Sequence, residues 1–201
     1  MSLPLLVIVS GPPCSGKTTL ARWLAQELAL PLITKDAIKE LLFDNLGWSD
    51  GAWSNKLGRA TYPLVYYFVE SQLAAGRSFI VESNFEPQFA TSVFAELKHK
   101  YPFEPFQVQC HADGALLVKR FKERSESGAR HPGHVDPLIY DEVGRVLLKG
   151  KLASLDIGGT VVEVDTTDFE KIDYSGLLNK IRLHLNSTQG TNFTNAPEHD
   201  L

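Results

Sequence analysis

A run of five apolar residues, Leu5-Leu6-Val7-Ile8-Val9, stops abruptly at Ser10-Gly11-Pro12-Pro13-Cys14-Ser15-Gly16-Lys17-Thr18, and no other stretch constrains the fold as tightly. An unbroken apolar run of this length reads as a strand buried on both faces, as in parallel sheets. Gly11 to Thr18 fits the pattern G-x-x-x-x-G-K-[ST] between a predicted strand and a predicted helix, the context that gives that pattern meaning. Its glycines let backbone N–H groups converge at a helix N-terminus, where the dipole favours anions, so the loop is built to cradle phosphate oxygens. Gly11, Cys14, Ser15, Gly16, Lys17, Thr18 and Thr19 are therefore candidate nucleotide-binding residues. Lys17 brings charge to the β and γ phosphates, and the Thr18 hydroxyl is expected to ligate Mg²⁺. Cys14 carries two readings, a thiol activated by the helix N-terminus or a small loop filler.

Beyond the loop, apolar strands alternate with amphipathic helices. Leu20, Trp23, Leu24 and Leu28 follow a helical period that ends at Pro31. Leu32 to Thr34 reads as a second strand, Ala37 to Leu46 as a helix with Asp36 at its start, and Trp53 to Ala75 as a long helix that Pro63 kinks or breaks. Ser78 to Val81 and Phe106 to Cys110 are the next strands, each followed by a helix, over Pro87 to Lys100 and Ala112 to Glu126. A helix is expected over most of Leu138 to Leu155, a fifth strand over Thr160 to Val164, and a last helix over Tyr174 to Leu185. This alternation predicts an α/β fold with a five-stranded parallel sheet flanked by helices. Ligands of such sheets bind beyond the carboxyl ends of the strands, which places function in loops 10–18, 34–40, 82–88 and from 111 onward. The aromatics Trp48, Trp53, Tyr62, Tyr66 and Tyr67 recur at helical spacing and are read as core in preference to the walls of a ligand pocket.

The 201 residues suffice for one domain, which we place at residues 1–185, with 186–201 as a flexible polar tail. Twenty Lys and Arg against 24 Asp and Glu give a formal charge of −4, which weighs against a nucleic-acid partner because it provides no basic field for a polyanionic backbone. The two cysteines form no framework and lack metal-ligand spacing, pointing to a reducing, cytoplasmic setting. No apolar stretch is long enough for a membrane span, and the N-terminus lacks the basic region of a signal peptide.

Asp36 admits two roles, a helix N-cap or a carboxylate that orients and deprotonates an acceptor hydroxyl beside the phosphates. Lys39, one turn later, is either a solvated side chain or a holder of an anionic group. Taken with the loop, Asp36-Ala37-Ile38-Lys39, the strand ending near Glu82 and the arginines Arg120, Arg124 and Arg130, the chain resembles the P-loop kinases. The resemblance is to the AAA-type ATP-binding, zeta toxin, chloramphenicol phosphotransferase-like and polynucleotide 5′-kinase group, and it covers residues 5 to 185. It implies a P-loop NTPase fold with a short lid at about 125–137 and an ATP- and Mg²⁺-dependent phosphotransferase acting on a small-molecule hydroxyl. A polynucleotide 5′-hydroxyl kinase and a nucleotide-binding regulatory ATPase or zeta-toxin-like protein are the alternatives.

By the same resemblance, Asp36 is the catalytic carboxylate and Lys39 stands where many members carry arginine. Glu82 holds Mg²⁺ with Thr18 or is a buried structural acid, and Asn84 faces the acceptor. Arg120 meets the nucleotide or is an exposed ion-pairing side chain, Arg124 and Arg130 are catalytic cations, and Asp165-Thr166-Thr167 either edges the nucleotide or caps a helix. His131, His134 and Asp136 in the lid have only weak metal-site character and are read as substrate or intra-lid contacts.

Overall fold

In a computed structural model of the chain, residues 3–128, 130–135 and 140–189 are described. The central strand β1 (Leu5–Ser10) is fully buried, as its apolar run requires. Around it lie β2 (Leu32–Thr34), β3 (Phe79–Glu82), β4 (Glu104–His111) and β5 (Thr160–Asp165), all parallel, in the order β2-β3-β1-β4-β5.

Helices cover both faces of the sheet. On one face, α1 (Lys17–Leu28) and α7 (Tyr174–Gln189) bury Leu20, Leu24, Leu177 and Ile181 against Leu5, Val7, Val9, Phe106 and Val108. On the other, α3 (Gly51–Ala74) and α4 (Pro87–Lys100) bury Val65, Val69, Leu73, Phe94 and Leu97 against Leu6, Ile8, Phe79 and Val81. Alternate residues of each inner strand thus feed opposite cores, which is why the strands read as continuously apolar. A third cluster joins α5 (Gly114–Glu126) to α6 (Tyr140–Leu147) through Ala112, Leu117, Phe121 and Leu147, with Cys14 of the loop packed against it.

Four expectations are corrected. Helix α2 (Lys35–Leu46) begins two residues early because Thr34 caps it, its hydroxyl accepting from the Ala37 N–H at 3.4 Å. Of the kink or break expected at Pro63, the break does not occur, and helix α3 runs continuously through it. Pro63 and Arg59, whose carbonyl loses its partner N–H, are both exposed, so water can take the carbonyl while Val65 and Val69 hold the helix on the sheet. The helix expected over most of Leu138 to Leu155 ends at Leu147, after which Gly150 turns at φ +72°, its N–H donating to the Leu147 carbonyl and its own carbonyl accepting from the Ala112 N–H. The chain then passes beneath β4, with both polar ends of the Gln107 side chain bound to the Leu155 backbone. Finally, the last helix extends to Gln189, so residues 186–189 of the expected tail are helical, and 190–201 lie outside the described residues.

The aromatic stripe divides. Tyr62 and Tyr66 pack against the core, whereas Trp48 and Tyr67 are exposed, at 49% and 71%.

Candidate active site

The carboxyl ends of β1, β2 and β3 deliver the loop, Asp36 and Glu82 to one place. The loop turns through Gly11, Cys14 and Gly16, the last at φ +74°, a backbone that L residues adopt only under strain. A Cβ on Gly16 would also overlap the Phe169 ring, so the loop admits only glycine there. Lys17, the first residue of α1, is buried, its ammonium donating to the Pro12 carbonyl at 3.3 Å and lying 3.9 Å from Glu82 Oε1. Thr18 donates its hydroxyl proton to Glu82 Oε2 at 3.0 Å. Burial pushes the Glu82 carboxyl above its usual range, against the opposing pull of Lys17. Glu82 therefore sits beneath the loop and lines neither of the cavities described below, whereas Asn84, two residues on, reaches one of them.

Because Thr34 supplies the cap, Asp36 is released from that role. Its carboxylate accepts from Lys35 Nζ at 3.3 Å and from Arg130 at 3.1 Å, and its side chain remains 43% open to the cleft. Crowding by neighbouring atoms would raise its pKa, but Lys35, Arg130 and Lys17 more than offset that and hold the carboxyl well below the usual carboxylate range. Lys39 is buried, donating to Ser54 Oγ at 3.0 Å and lying 5.1 Å from the centre of the Phe43 ring. It is not the solvated side chain that its position near a helix start allowed.

Two cavities open on this cluster. One, of about 310 Å³, runs along the loop past Cys14, Gly16, Thr18 and Thr19 to Arg120 and Phe169. The other, of about 200 Å³, is lined by Lys35, Lys39, Ser54, Asn84, Arg130 and His134 among others. Lys17, Asp36 and Arg124 line both. At the far end of the first cavity the Arg120 guanidinium donates to the carbonyls of Thr166 and Thr167 and lies 5.1 Å from the centre of the Phe169 ring. The two halves of the expected nucleotide edge, Arg120 and the loop after β5, thus meet each other. Gly11 and Ser15 form the loop's underside, with the Ser15 side chain fully buried.

The described part of the segment expected to form a lid lies on α2. Helix α5 ends at Glu126, where the sequence pattern ended it, and of the segment expected as a lid at about 125–137, Ala129, Asp136 and Pro137 lie outside the described residues. Arg130 meets Asp36, His134 meets Glu40 at 3.0 Å, and His131 meets Asp44 at 3.2 Å, three contacts spaced at i, i+4 and i+8 along one helix face. Phe43 lies beneath them, stacked on His131 and edge-on to His134, with Gly133 directly against its ring. The two histidines thus serve as lid contacts. Among the described residues no group of His, Cys, Asp and Glu has the arrangement of a metal site.

Residues 6–136 match the family model described as AAA domain. The chain belongs to that family. A protein of Chloroflexus aurantiacus J-10-fl, provisionally designated a kinase, is 40% identical and superposes with a TM-score of 0.82 over 94% of this chain and 99% of that one. Kti12 of Chaetomium thermophilum, solved with ADP-AlF3, superposes at 0.60 over 89% of this chain and 97% of that one with 18% identity. A sugar kinase of Janibacter sp. HTCC2649 does so at 0.55, over 92% and 95%, with 15% identity. These last two share only the fold. Mouse adenylate kinase 8 is 50% identical over 40 residues, which span 20% of this chain and 8% of that protein. This AAA domain is thus a kinase-like P-loop protein whose fold implies nucleotide binding. None of its described helices is long and apolar enough to cross a membrane.

Several site residues escaped sequence reasoning. Lys35 and Phe169 belong to no motif, so nothing in their sequence neighbourhood assigns them a role. Ser54 and Phe43 belong to helical patterns whose inward faces a linear reading cannot assign to a cleft.

Proposed function

We propose that the protein is a cytoplasmic ATP-dependent kinase that transfers the γ-phosphoryl group to a hydroxyl of a small-molecule acceptor, with residues 1–185 as the working unit. The observation that carries this reading is the pair of cavities meeting at Lys17, Asp36 and Arg124. A nucleotide in the larger cavity presents its terminal phosphate at the junction, and an acceptor in the smaller one approaches from the other side, as in-line transfer demands. An acceptor-free ATPase has no need of the second cavity. The cytoplasmic placement is supported by two free cysteines, Cys14 and Cys110.

Lys17 and the loop amides hold the β and γ phosphates. The Thr18 hydroxyl and the Glu82 carboxylate are hard oxygen donors suited to Mg²⁺, which supplies charge neutralisation on the phosphates when bound. Asp36 accepts a hydrogen bond from the acceptor hydroxyl. As the bond from the β–γ bridging oxygen to the γ phosphorus breaks and the acceptor oxygen bonds to that phosphorus, the hydroxyl proton passes to Asp36 and ADP departs. A carboxyl with so low a pKa is a weak base, which suits a loose transition state in which the proton moves late, so orientation is its larger contribution. Arg124 and Arg130 neutralise charge on the equatorial oxygens, with Arg130 leaving Asp36 as the hydroxyl arrives.

ATP consumption measured against nucleosides, sugars, polyols, hydroxy acids, aminoglycosides and 5′-hydroxyl oligonucleotides, with Lys17→Ala as blank, tests this reading. One class of small acceptor should raise ADP formation at least tenfold over water. Equal ADP formation with every acceptor and with none would refute it.

A further inference from the structure

The smaller cavity has a charge character that the transfer reaction alone does not require. Lys17 and Arg124 also line the nucleotide cavity and answer to the phosphates there. Lys35, Lys39 and Arg130 line only the smaller one; with Arg130 assigned to the transferring phosphoryl group, Lys35 and Lys39 remain, and among the described lining residues the single carboxylate is Asp36. His134 adds no charge near neutrality, because burial and the nearby Arg130 push its pKa down to about 3. Ser54 and Asn84 add neutral hydrogen-bonding groups. Resting on the kinase reading above, we propose that the acceptor is a small hydroxy compound that already bears an anionic group, and that Lys39, with Lys35, reads that group while Asp36 takes the hydroxyl.

The geometry of Lys39 favours this role. It lies three residues after Asp36 on α2, on the same helix face, so the two side chains originate roughly 5–6 Å apart, a span of a few bonded atoms. Its stem packs against α3 where that helix offers Gly58, and a methyl added there would lie 3.5 Å from both Cε and Nζ. Its ammonium is anchored by Ser54 Oγ, whose own proton points to the His134 carbonyl at 3.5 Å. Packing, a hydroxyl and the Phe43 ring therefore aim one point charge at the small cavity. An ammonium imposes less angular demand than a guanidinium, so a carboxylate or a phosphate ester satisfies it equally. A volume of about 200 Å³ suits a small molecule. Cations converging in a partly enclosed cleft raise the local concentration of such an anion and disfavour its uncharged analogue.

The test separates anion recognition from catalysis. The full chain is saturated with Mg²⁺ and a non-hydrolysable ATP analogue so that the phosphate loop is filled, and inorganic phosphate is titrated in by calorimetry. Phosphate should bind to the loaded protein, with affinity reduced at least tenfold in Lys39→Gln and severalfold in Lys35→Gln, while the affinity for the analogue stays within about twofold. The half-buried Lys35 variant keeps the test open if Lys39→Gln fails to fold. Absence of phosphate binding, or binding unchanged in both variants, overturns the proposal.

A second arm compares turnover of glucose 6-phosphate and gluconate with glucose, and of glycerate with glycerol, which distinguishes a phosphate ester from a carboxylate. An advantage of tenfold or more in kcat/KM for the anionic members, lost in Lys39→Gln, supports the assignment. Equal use of neutral members overturns it and leaves the kinase reading standing. Phosphate binding, with no acceptor of the wider screen raising ADP formation above that in water, overturns the kinase reading alone. A 5′-hydroxyl oligonucleotide used better than every small acid overturns the small-molecule assignment.

Discussion

Gly133→Ala should disable the lid without disturbing the rest of the molecule. In the docked lid a Cβ at position 133 would lie 2.7, 2.8 and 2.9 Å from three carbons of the Phe43 ring, where ordinary contact begins at 3.4 Å. Phe43 cannot retreat easily, since it is buried at 1% exposure and carries His131, His134 and Lys39 around its ring. Gly133 is not among the residues with positive φ, so the substitution adds volume without demanding a forbidden backbone. Overpacking of this kind costs about 1–3 kcal/mol, and here the lid can escape by lifting from α2. If the docked lid is required for transfer, the population able to react falls by about 5- to 150-fold, and kcat/KM with it. Nucleotide affinity should change little, because the phosphate loop and Gly133 line no common cavity. Steady-state kinetics with the acceptor found by the screen, calorimetry with an ATP analogue and a thermal melt check the three expectations. A kcat/KM within twofold of the parent would refute the claim that the lid must dock. A fall of several degrees in Tm would refute the claim that the lid lifts independently of the core.

Lys17→Ala should weaken ATP binding by roughly tenfold to a hundredfold, the worth of a charge-assisted contact, with an unchanged circular dichroism spectrum. Thr34→Ala removes the cap of α2 at a cost of about 1 kcal/mol, a fall of about 2–4 °C in Tm that Thr34→Ser should largely restore. His134 is held neutral by burial, with its pKa lowered from 6.5 to about 3, so between those values the unfolded chain binds the extra proton and stability falls as pH falls. Denaturant titrations from pH 7 to pH 4 should therefore show a smaller loss for His134→Gln than for the parent. The ion pairs of Asp36, whose pKa is depressed, contribute above the ordinary carboxylate range and are lost only as pH drops below it, outside that window.

The legibility of this chain follows where its free energy is concentrated. β1 and β3 are buried on both faces, so their composition alone announces them, and the phosphate loop is fixed by glycines that its backbone cannot do without. Helix α4 lies over Pro87 to Lys100 as read, because a proline at its first position and basic residues in its last turn bracket it. The end of α6 was not legible. It is set by Gly150 meeting Ala112 and by Leu155 meeting Gln107, partners 38 and 48 residues away in sequence. At the site, Asp36 was visible as a residue with two roles, and only the Thr34 cap in three dimensions removes one of them. Lys35, Phe43 and Phe169 were invisible for a different reason. Their positions follow from packing across the cleft, which no local pattern encodes.

The central claim is that Asp36 serves the acceptor hydroxyl at the junction of the two cavities. Asp36→Asn preserves shape and removes the charge, so with the acceptor found by the screen the phosphorylation rate should fall by about 10²- to 10⁴-fold while ATP affinity stays within about threefold. Acceptor phosphorylation at the parent rate, with ATP still bound, would contradict the account.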